Sequence, residues 1–401
     1  MLKTAFVAHF VLMVGVAVLL PSSAAARSTR TSKDPSSAGI TETPRTQKRI
    51  ARLRHARATR STSRRHRRSY ERFYTSSYAD DVTEGDVLAG EDPVVRAAAI
   101  EALGNMNGTV VAIDPDSGRV LSMVNQKLAL SGGAQPCSTI KLTVALAALN
   151  ERIVEKNTEI TLGRRSRMNL TEALAHSNNA YFEALGRRLG FEKVSYYAHE
   201  FGLGELAGYN ISGEHLGVFP SQELAAHAGG VGKMCSFGES ISMTPLQLGA
   251  LVAAMANGGT LFYLQHPTRP EEVTGFQPKI KRQLDIAPLV PAMADGMAGA
   301  VEYGTARSVR YNFSEEPVLG KTGTCSHDGT RFGWFASYAK TDRGRIVVVV
   351  FLRGGRPTFG PKAAEIAGRM YRNLYDHNFF AATPSTHASR GSQLQTVGAA
   401  Q

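Results

Sequence analysis

Strand patterns lie at both ends of a long regular region, and helical patterns fill its middle. The stretch "TVVAIDPDSGRVLSMVN" predicts two strands joined in a hairpin at Asp114 to Gly118. From "PVLGKTGTC" onward three more strand patterns follow, ending in the strongly apolar "RIVVVVFLRGG". Strands that are separated along the chain by helices are typical of α+β proteins. We therefore predict an α+β fold, with one antiparallel sheet formed from both ends of the domain, flanked by helices, and a mostly helical insert.

The remaining elements follow from periodicity and from Gly and Pro punctuation. Residues 138–256 are mostly helical in pattern, and "GGTLFYL" after them predicts a short strand. Further helices are predicted over residues 94–103, 287–301 and 361–375. We predict one catalytic domain over residues 93–378 and a disordered tail over residues 379–401.

The N-terminus has the pattern of a secretory signal peptide. Lys3 precedes an apolar run from Ala5 to Leu20, and the small residues Ala24, Ala25 and Ala26 follow it. We predict a signal peptide over residues 1–26 and an exported protein of the periplasm or cell envelope. An uncleaved membrane anchor is the alternative, because the run is nearly long enough to span a bilayer.

The net charge of +12 is concentrated in one segment. Between Arg27 and Arg72 there are fifteen basic and three acidic residues, whereas the rest of the chain has 31 of each. A basic segment rich in Ser, Thr and Arg predicts a disordered tether over residues 27–92. We interpret it as a solvated tether, or as a contact with anionic lipid heads or wall polymer, and predict no nucleic-acid partner.

Ser138 and Lys141 are the first candidate pair for catalysis. They lie three residues apart in "QPCSTIKLTVALAALN", where a helix is expected to begin, so both side chains share one face. A helix-capping serine and a surface lysine would give the same pattern. Ser337 and Lys340 have equal spacing in a predicted strand, so spacing alone does not decide between these interpretations.

Two further polar motifs interrupt the regular patterns. Ser177 and Asn179 belong to "SNN", which is flanked by helical sequence although its residues favour turns. An asparagine amide there could hold a substrate amide as donor and as acceptor. "KTGT", Lys321 to Thr324, opens the C-terminal strands, where Gly323 is expected to let an extended peptide approach the strand edge.

Taken in order, these three motifs resemble the pattern of penicillin-recognising serine enzymes, and the sequence is similar to the transpeptidase domain of penicillin-binding proteins. The resemblance extends to "GTVVAIDPDSGRVLSM", "EALAHSNNAYFEALGRRLG" and "SMTPLQLGALVAAMANGG" and covers roughly residues 94–375. It implies that Ser138 attacks the penultimate D-alanyl carbonyl of a peptidoglycan stem peptide. Lys141 would be the general base, and Ser177 would pass the proton onward.

The resemblance also implies how substrate is held. Asn179 would bind the substrate amide. The carboxylate of the substrate would face Lys321, Thr322 and Thr324. The backbone N–H groups of Ser138 and Thr324 would form the oxyanion hole. This chemistry requires no metal and no cofactor, and it makes stem peptides and β-lactams the expected partners.

The sequence departs from the family pattern in two places, which keeps alternative functions open. "FGES", Phe237 to Ser240, stands where many relatives carry Gly-Gln-Gly, and the catalytic domain follows the tether without a large N-terminal pedestal. A class D-like serine β-lactamase and a non-catalytic β-lactam sensor or scaffold are the alternatives. No Glu-x-x-Leu-Asn stretch lies between Asn179 and Lys321 to supply a deacylating base.

Three cysteines complete the unusual features. Cys137 precedes Ser138 and Cys325 follows Thr324, so the resemblance places both beside the oxyanion hole. A bridge between Cys137 and Cys325 is one hypothesis for an exported protein. Buried free thiols are the alternative.

Overall fold

The computed structural model describes residues 71–163, 166–341 and 344–381. The helices are α1 Pro93–Leu103, α2 Gln126–Ala129, α3 Lys141–Asn150, α4 Leu170–Ala175, α5 Asn179–Leu189, α6 Phe191–Glu200, α7 Gly230–Phe237, α8 Pro245–Asn257, α9 Pro270–Thr274, α10 Val290–Glu302 and α11 Gly360–Asp376. The strands are β1 Gly108–Ile113, β2 Val120–Val124, β3 Ile160–Gly163, β4 Ser166–Met168, β5 Thr260–Tyr263, β6 Lys279–Gln283, β7 Val318–His327, β8 Thr330–Thr341 and β9 Gly344–Gly354.

The main sheet has five antiparallel strands in the order β2-β1-β9-β8-β7. The first hairpin of the domain thus pairs with the last three strands of the chain, as predicted. β7, which carries the KTGT motif, lies at one edge and leaves one side of its backbone unpaired within this sheet. An unpaired strand edge can accept an extended peptide.

Both faces of the sheet are buried, which explains the uninterrupted apolar run of β9. Val347, Val349 and Phe351 join the core on one face, and Val348, Val350 and Leu352 join the core on the other. α1 and α11 cover the second face, while α3 and α8 belong to the core of the first. Alternate residues of a strand face opposite sides, so a strand covered on both sides is apolar at every position.

The helices begin where their sequences provide caps. Asp92 caps α1 by accepting hydrogen bonds from the N–H groups of Val94 and Val95, and a proline follows it. α8 begins with a capping box between Thr244 and Gln247. The cap of α1 lies within "EDPVV", at the start of the helix predicted over residues 94–103. The capping box of α8 lies within "MTPLQ", in the stretch that was predicted only as mostly helical.

Two small antiparallel hairpins lie outside the main sheet. β5, the strand predicted from "GGTLFYL", pairs with β6 and not with the large sheet. β3 and β4 form a second pair inside the insert that was predicted to be mostly helical. In each pair, at least one of the two short strands has a composition that gives little indication of a strand.

The packed part of the chain begins earlier than predicted. Residues 71–92 were assigned to the disordered tether, but Asp86 and Glu91 each expose only 1% of their side chains and form ion pairs with Arg96 of α1. The backbone of Tyr74 also bonds to Gly329 in the β7–β8 turn. An acidic, Gly-containing stretch has no periodicity of its own, so its packing partners could not be recognised from local pattern.

The predicted signal peptide, most of the tether and residues 382–401 of the predicted tail lie outside the described residues. The tail prediction was wrong for its first residues, because Phe379–Ala381 form a 3-10 turn and Phe380 is buried in the core. Within the described ranges, no helix has both the length and the apolar character needed to cross a bilayer.

Candidate active site

Ser138 lies in a tight turn that leads directly into α3. Residues Cys137–Ile140 form a 3-10 turn, and Lys141 is the first residue of the α-helix. The N-cap of α3 is Ile140, so Ser138 does not cap this helix as one interpretation of the sequence proposed. Lys141 is completely buried, which also rules out a surface lysine. The turn places the Lys141 Nζ 3.0 Å from the Ser138 Oγ.

Four oxygen atoms surround the Lys141 amine. Besides Ser138, they are the Ser177 carbonyl oxygen at 2.7 Å, the Ser177 Oγ at 3.1 Å and the Asn179 Oδ1 at 2.6 Å. Within the described ranges, no carboxylate hydrogen-bonds this amine. Burial lowers the pKa of Lys141 to about 6, and the positive charge of Lys321 contributes in the same direction. The amine is therefore mostly neutral at pH 7.

The hydrogen-bond inventory of a neutral amine defines the direction of the bond to Ser138. Such an amine has two hydrogens and one lone pair, and the two carbonyl oxygens of Ser177 and Asn179 can only accept. Those carbonyl oxygens are also the two nearest atoms. They take both hydrogens, so the lone pair is left to accept from a hydroxyl, and the Ser138 Oγ at 3.0 Å lies slightly nearer than the Ser177 Oγ at 3.1 Å. This is the arrangement of a nucleophile and its base.

Ser177 occupies a short loop between α4 and α5, as the polar interruption predicted. Its backbone has φ of 54°, a left-handed conformation that is strained for a serine. Asn178 holds the loop by capping α5, where its side chain accepts from the N–H of Tyr181 at 2.9 Å. The strained backbone aims both the carbonyl oxygen and the hydroxyl of Ser177 at Lys141.

Asn179 is used differently from the sequence expectation. Its Oδ1 accepts from Lys141, so one of the two acceptor sites of this oxygen is already used. Only the amide NH2 group remains as a donor, which suits a carbonyl oxygen of the substrate.

The β7 segment is the third arm of the site, after the turn that carries Ser138 and the loop that carries Ser177. Lys321 is completely buried, and its Nζ donates to the Ser177 Oγ at 2.8 Å and to the Thr322 carbonyl at 3.0 Å. Burial lowers the pKa of Lys321 to about 7. The Thr322 and Thr324 hydroxyls lie on the opposite face of the strand, where they bond to Thr305 and to the N–H of Gly360. The Ser177 hydroxyl is therefore in hydrogen-bond contact with both Lys141 and Lys321.

Gly323 is required for a reason that sequence analysis did not predict. A Cβ at this position would lie 2.9 Å from the Pro136 carbonyl oxygen and 3.2 Å from a methyl group of Thr139. The missing side chain therefore lets β7 pack against the nucleophile turn, and it does not clear a path for a peptide. Close backbone approach is a common reason for glycine within a strand.

A disulfide bond joins the same two elements. Cys137 pairs with Cys325 across a Cα–Cα distance of 5.5 Å and 188 residues of sequence, which confirms the bridge hypothesis. Cys235 is a free, buried thiol.

Several contacts that organise the site have no recognisable sequence signal. The Trp334 indole donates to the Gln135 carbonyl at 2.9 Å, and the Gln135 side chain contacts the Glu239 carboxylate at 3.2 Å. Glu239 belongs to "FGES", so the stretch that departs from the family pattern borders the segment before Ser138. The Thr305 hydroxyl lies 2.6 Å from that of Thr322. These pairs are distant in sequence, and only the fold brings them together.

Comparisons with known proteins define the class of this site. The family described as "Penicillin binding protein transpeptidase domain" matches residues 108–375. Stage V sporulation protein D of Bacillus subtilis is 28% identical over 66% of this chain and 48% of its own length. Peptidoglycan D,D-transpeptidase MrdA of Acinetobacter baumannii is 25% identical over 79% of this chain and 58% of its own length.

A solved structure shows the same fold. The D,D-transpeptidase domain of a peptidoglycan glycosyltransferase from Eggerthella lenta aligns with a TM-score of 0.58 and 19% identity, over 72% of this chain and 82% of that one. The chain belongs to the penicillin-binding protein transpeptidase domain family, since the family match covers more than half of it. It spans about half the length of the two curated relatives.

The predicted family and the predicted α+β fold are thus both confirmed. All eight predicted site residues lie in the three arms that meet at Lys141 and Lys321. Within the described ranges, no group of three or more His, Cys, Asp or Glu side chains could hold a metal ion.

Proposed function

We propose that this protein is a penicillin-binding D,D-transpeptidase that acts on peptidoglycan stem peptides through an acyl-Ser138 intermediate. The observation that carries the proposal is the buried Lys141 amine, whose two hydrogens are taken by carbonyl oxygens and whose lone pair faces the Ser138 hydroxyl. The names of relatives such as the Acinetobacter D,D-transpeptidase support the same reaction class.

In the acylation step, the Ser138 Oγ attacks the carbonyl carbon of the penultimate D-alanine while its proton passes to the Lys141 Nζ. The resulting oxyanion is held by the N–H groups of Ser138 and Thr324. The bond to the terminal D-alanine nitrogen then breaks. That nitrogen receives the proton from Lys141 through the Ser177 hydroxyl, which contacts the amine at 3.1 Å. Free D-alanine and an acyl-serine ester result.

Substrate binding uses the groups that the lysine network leaves free. The NH2 group of Asn179 donates to a substrate carbonyl, since its oxygen is engaged by Lys141. The C-terminal carboxylate is bound by the hydroxyls of Thr322 and Thr324 with the charge of Lys321 behind them. A β-lactam carries an equivalent carboxylate and acyl carbon, so it acylates the same serine.

The acyl-serine is then transferred to the amine of a second stem peptide, or to water in carboxypeptidase trimming. A rapid β-lactamase requires a base that activates water beside the ester. Within the described ranges, no carboxylate hydrogen-bonds Ser138 or Lys141, which favours a long-lived penicilloyl-enzyme over β-lactamase turnover.

We place the protein outside the cytoplasm, where D-alanine-terminated wall peptides are cross-linked. The signal-like residues 1–26 and the basic segment after them support export, with contact to anionic lipid heads or wall polymer. A fusion of residues 1–92 to a reporter enzyme that is active only after export tests this placement. Activity that disappears when residues 1–26 are removed supports export, and activity confined to the cytoplasm contradicts it.

The test of the reaction is an intact-mass time course of the purified protein with excess benzylpenicillin, beside Ser138→Ala. We expect a stable adduct of one penicilloyl group that is absent from the variant. Transient labelling with consumption of the drug would instead identify a β-lactamase. The absence of both adduct and consumption would support the scaffold alternative. Products from a D-alanyl-D-alanine peptide then separate cross-linking from trimming.

A further inference from the structure

The disulfide bond connects the two backbone segments that provide the oxyanion hole in the proposed function. Cys137 directly precedes Ser138, and Cys325 directly follows Thr324. Each cysteine is therefore the covalent neighbour of one oxyanion donor. Cys137 is fully buried and has φ of 52°, a left-handed backbone that the surrounding contacts must hold in place.

The contact between these segments is tight on both sides of the bond. Gly323 has no space for even one added carbon beside the Pro136 carbonyl. A disulfide keeps its sulfur atoms about 2 Å apart, whereas two thiols in van der Waals contact require about 4 Å. Cleavage of the bond therefore separates the two sulfur atoms and removes the covalent link that fixes the distance between the nucleophile turn and β7.

We propose that the bond between Cys137 and Cys325 is a positioning element of the oxyanion hole, so that its reduction slows acylation of Ser138. This inference rests on the proposed function. A dithiol reductant attacks the partly exposed sulfur of Cys325 and releases the sulfur of Cys137, and its second thiol then closes the reagent's own disulfide. Two electrons and two protons convert the bridge into two thiols.

The remaining cysteine does not interfere with a test of this proposal. Burial raises the pKa of Cys235 to about 12, so this thiol forms little thiolate at neutral pH. Its sulfur packs against Gly186, where an added Cβ would lie only 2.6 Å from it. A change of activity on mild reduction therefore reports on the bridge.

The experiment compares the limiting acylation rate and the half-saturating concentration of benzylpenicillin for oxidised protein, protein reduced with dithiothreitol, Cys137→Ala/Cys325→Ala and Cys235→Ala. We expect the limiting rate to fall about ten- to hundredfold in the reduced protein and in the double variant, with a smaller change in half-saturation. Reoxidation should restore the reduced wild type, reductant should not affect the double variant, and Cys235→Ala should match wild type. Thermal unfolding verifies that each sample is folded at the assay temperature.

Reduced protein that carries three alkylatable thiols and still acylates at the oxidised rate would overturn the proposal. If the double variant does not fold, reversible reduction of the wild type gives the same comparison. Oxidised protein that never acylates would instead contradict the proposed function, which separates the two failures.

Discussion

Two buried polar clusters in this protein differ in whether their charged groups have partners of opposite charge. The Arg96 cluster consists of Asp86, Glu91, Arg96 and His266, in which both carboxylates lie 2.8 Å from the guanidinium and the imidazole lies 3.0 Å from Glu91. The lysine cluster consists of Ser138, Lys141, Ser177 and Lys321. It holds two amines and, within the described ranges, no carboxylate in hydrogen-bond contact with either.

The difference separates a structural role from a chemical one. In the Arg96 cluster, burial raises the pKa of Glu91, but the hydrogen bonds with His266 and Arg96 outweigh it and keep this pKa below its usual value. The charges therefore persist and hold residues 86–91 against α1 and β2. In the lysine cluster, burial without an anion lowers the pKa values to about 6 and 7. Amines that lose their proton near neutral pH can act as bases.

The largest expected effect is on the chemistry of the lysine cluster. Lys141→Met removes the proton acceptor of Ser138, and we expect the second-order acylation constant for benzylpenicillin to fall by at least about 10³-fold. The free energy of unfolding should not fall, because the cost of burying an amine disappears together with its hydrogen bonds. Lys127→Met, on the exposed surface of α2, is the control. Near-normal acylation of Lys141→Met would remove the base from the mechanism.

The Arg96 cluster should show the reverse behaviour. Arg96→Met leaves Asp86 and Glu91 buried without their cation, which should lower the free energy of unfolding by about 3–5 kcal/mol. Acylation per folded molecule should remain unchanged, since no atom of this cluster contacts the lysine cluster within the described ranges. Urea titrations and active-site labelling measure the two quantities.

A triple variant makes this second prediction more specific. Arg96→Met combined with Asp86→Asn and Glu91→Gln removes the uncompensated charges, so part of the lost stability should return. If the triple variant is no more stable than Arg96→Met, packing of the arginine and not charge compensation explains the loss.

The pH dependence of acylation gives a third test. Neutral Lys141 is the active form and its pKa is lowered to about 6, so the acylation constant should rise as pH increases through about 6. Lys321 must keep its proton to attract a carboxylate, so the constant should decline above about 7. A profile that rises only near pH 10 would mean that the amines are not perturbed.

The smallest expected effects are shifts of the acidic limb of that profile. Lys321→Met removes a positive charge that lowers the pKa of Lys141, so the limb should move to higher pH. Glu183→Gln removes a negative charge that raises the pKa of Lys141, so the limb should move to lower pH. Shifts in the same direction for both variants would contradict this electrostatic account.

Sequence patterns predicted the parts of the molecule that depend on local physics. Alternation and apolar runs located β1, β2 and β9, and helical periodicity located α1, because these signals act over a few residues. The eight site residues were recognised from ordered motifs. The contacts that these residues make were less predictable. Gly323 allows the close approach of Pro136, and the Asn179 Oδ1 accepts a hydrogen bond from Lys141.

The features that sequence analysis missed depend on partners far along the chain. The role of Glu91 depends on its hydrogen bond with His266, and the role of Thr305 depends on its hydrogen bond with Thr322. The stretch before residue 93 was assigned to the tether because acidic and Gly-containing sequence resembles a linker when its partners are unknown. A neutral buried lysine also cannot be recognised from composition, because its pKa is lowered only by burial in the folded protein.

The most direct test of the central claim is the pKa of Lys141 itself, followed by the ¹³Cε chemical shift in protein labelled with ¹³C-lysine. The signal is assigned by its absence from Lys141→Met, and Lys127 serves as an internal reference. The account predicts a titration midpoint about 6 for Lys141. A Lys141 signal that stays in its protonated position throughout the range from pH 5 to about 9, as an ordinary lysine would, would contradict it.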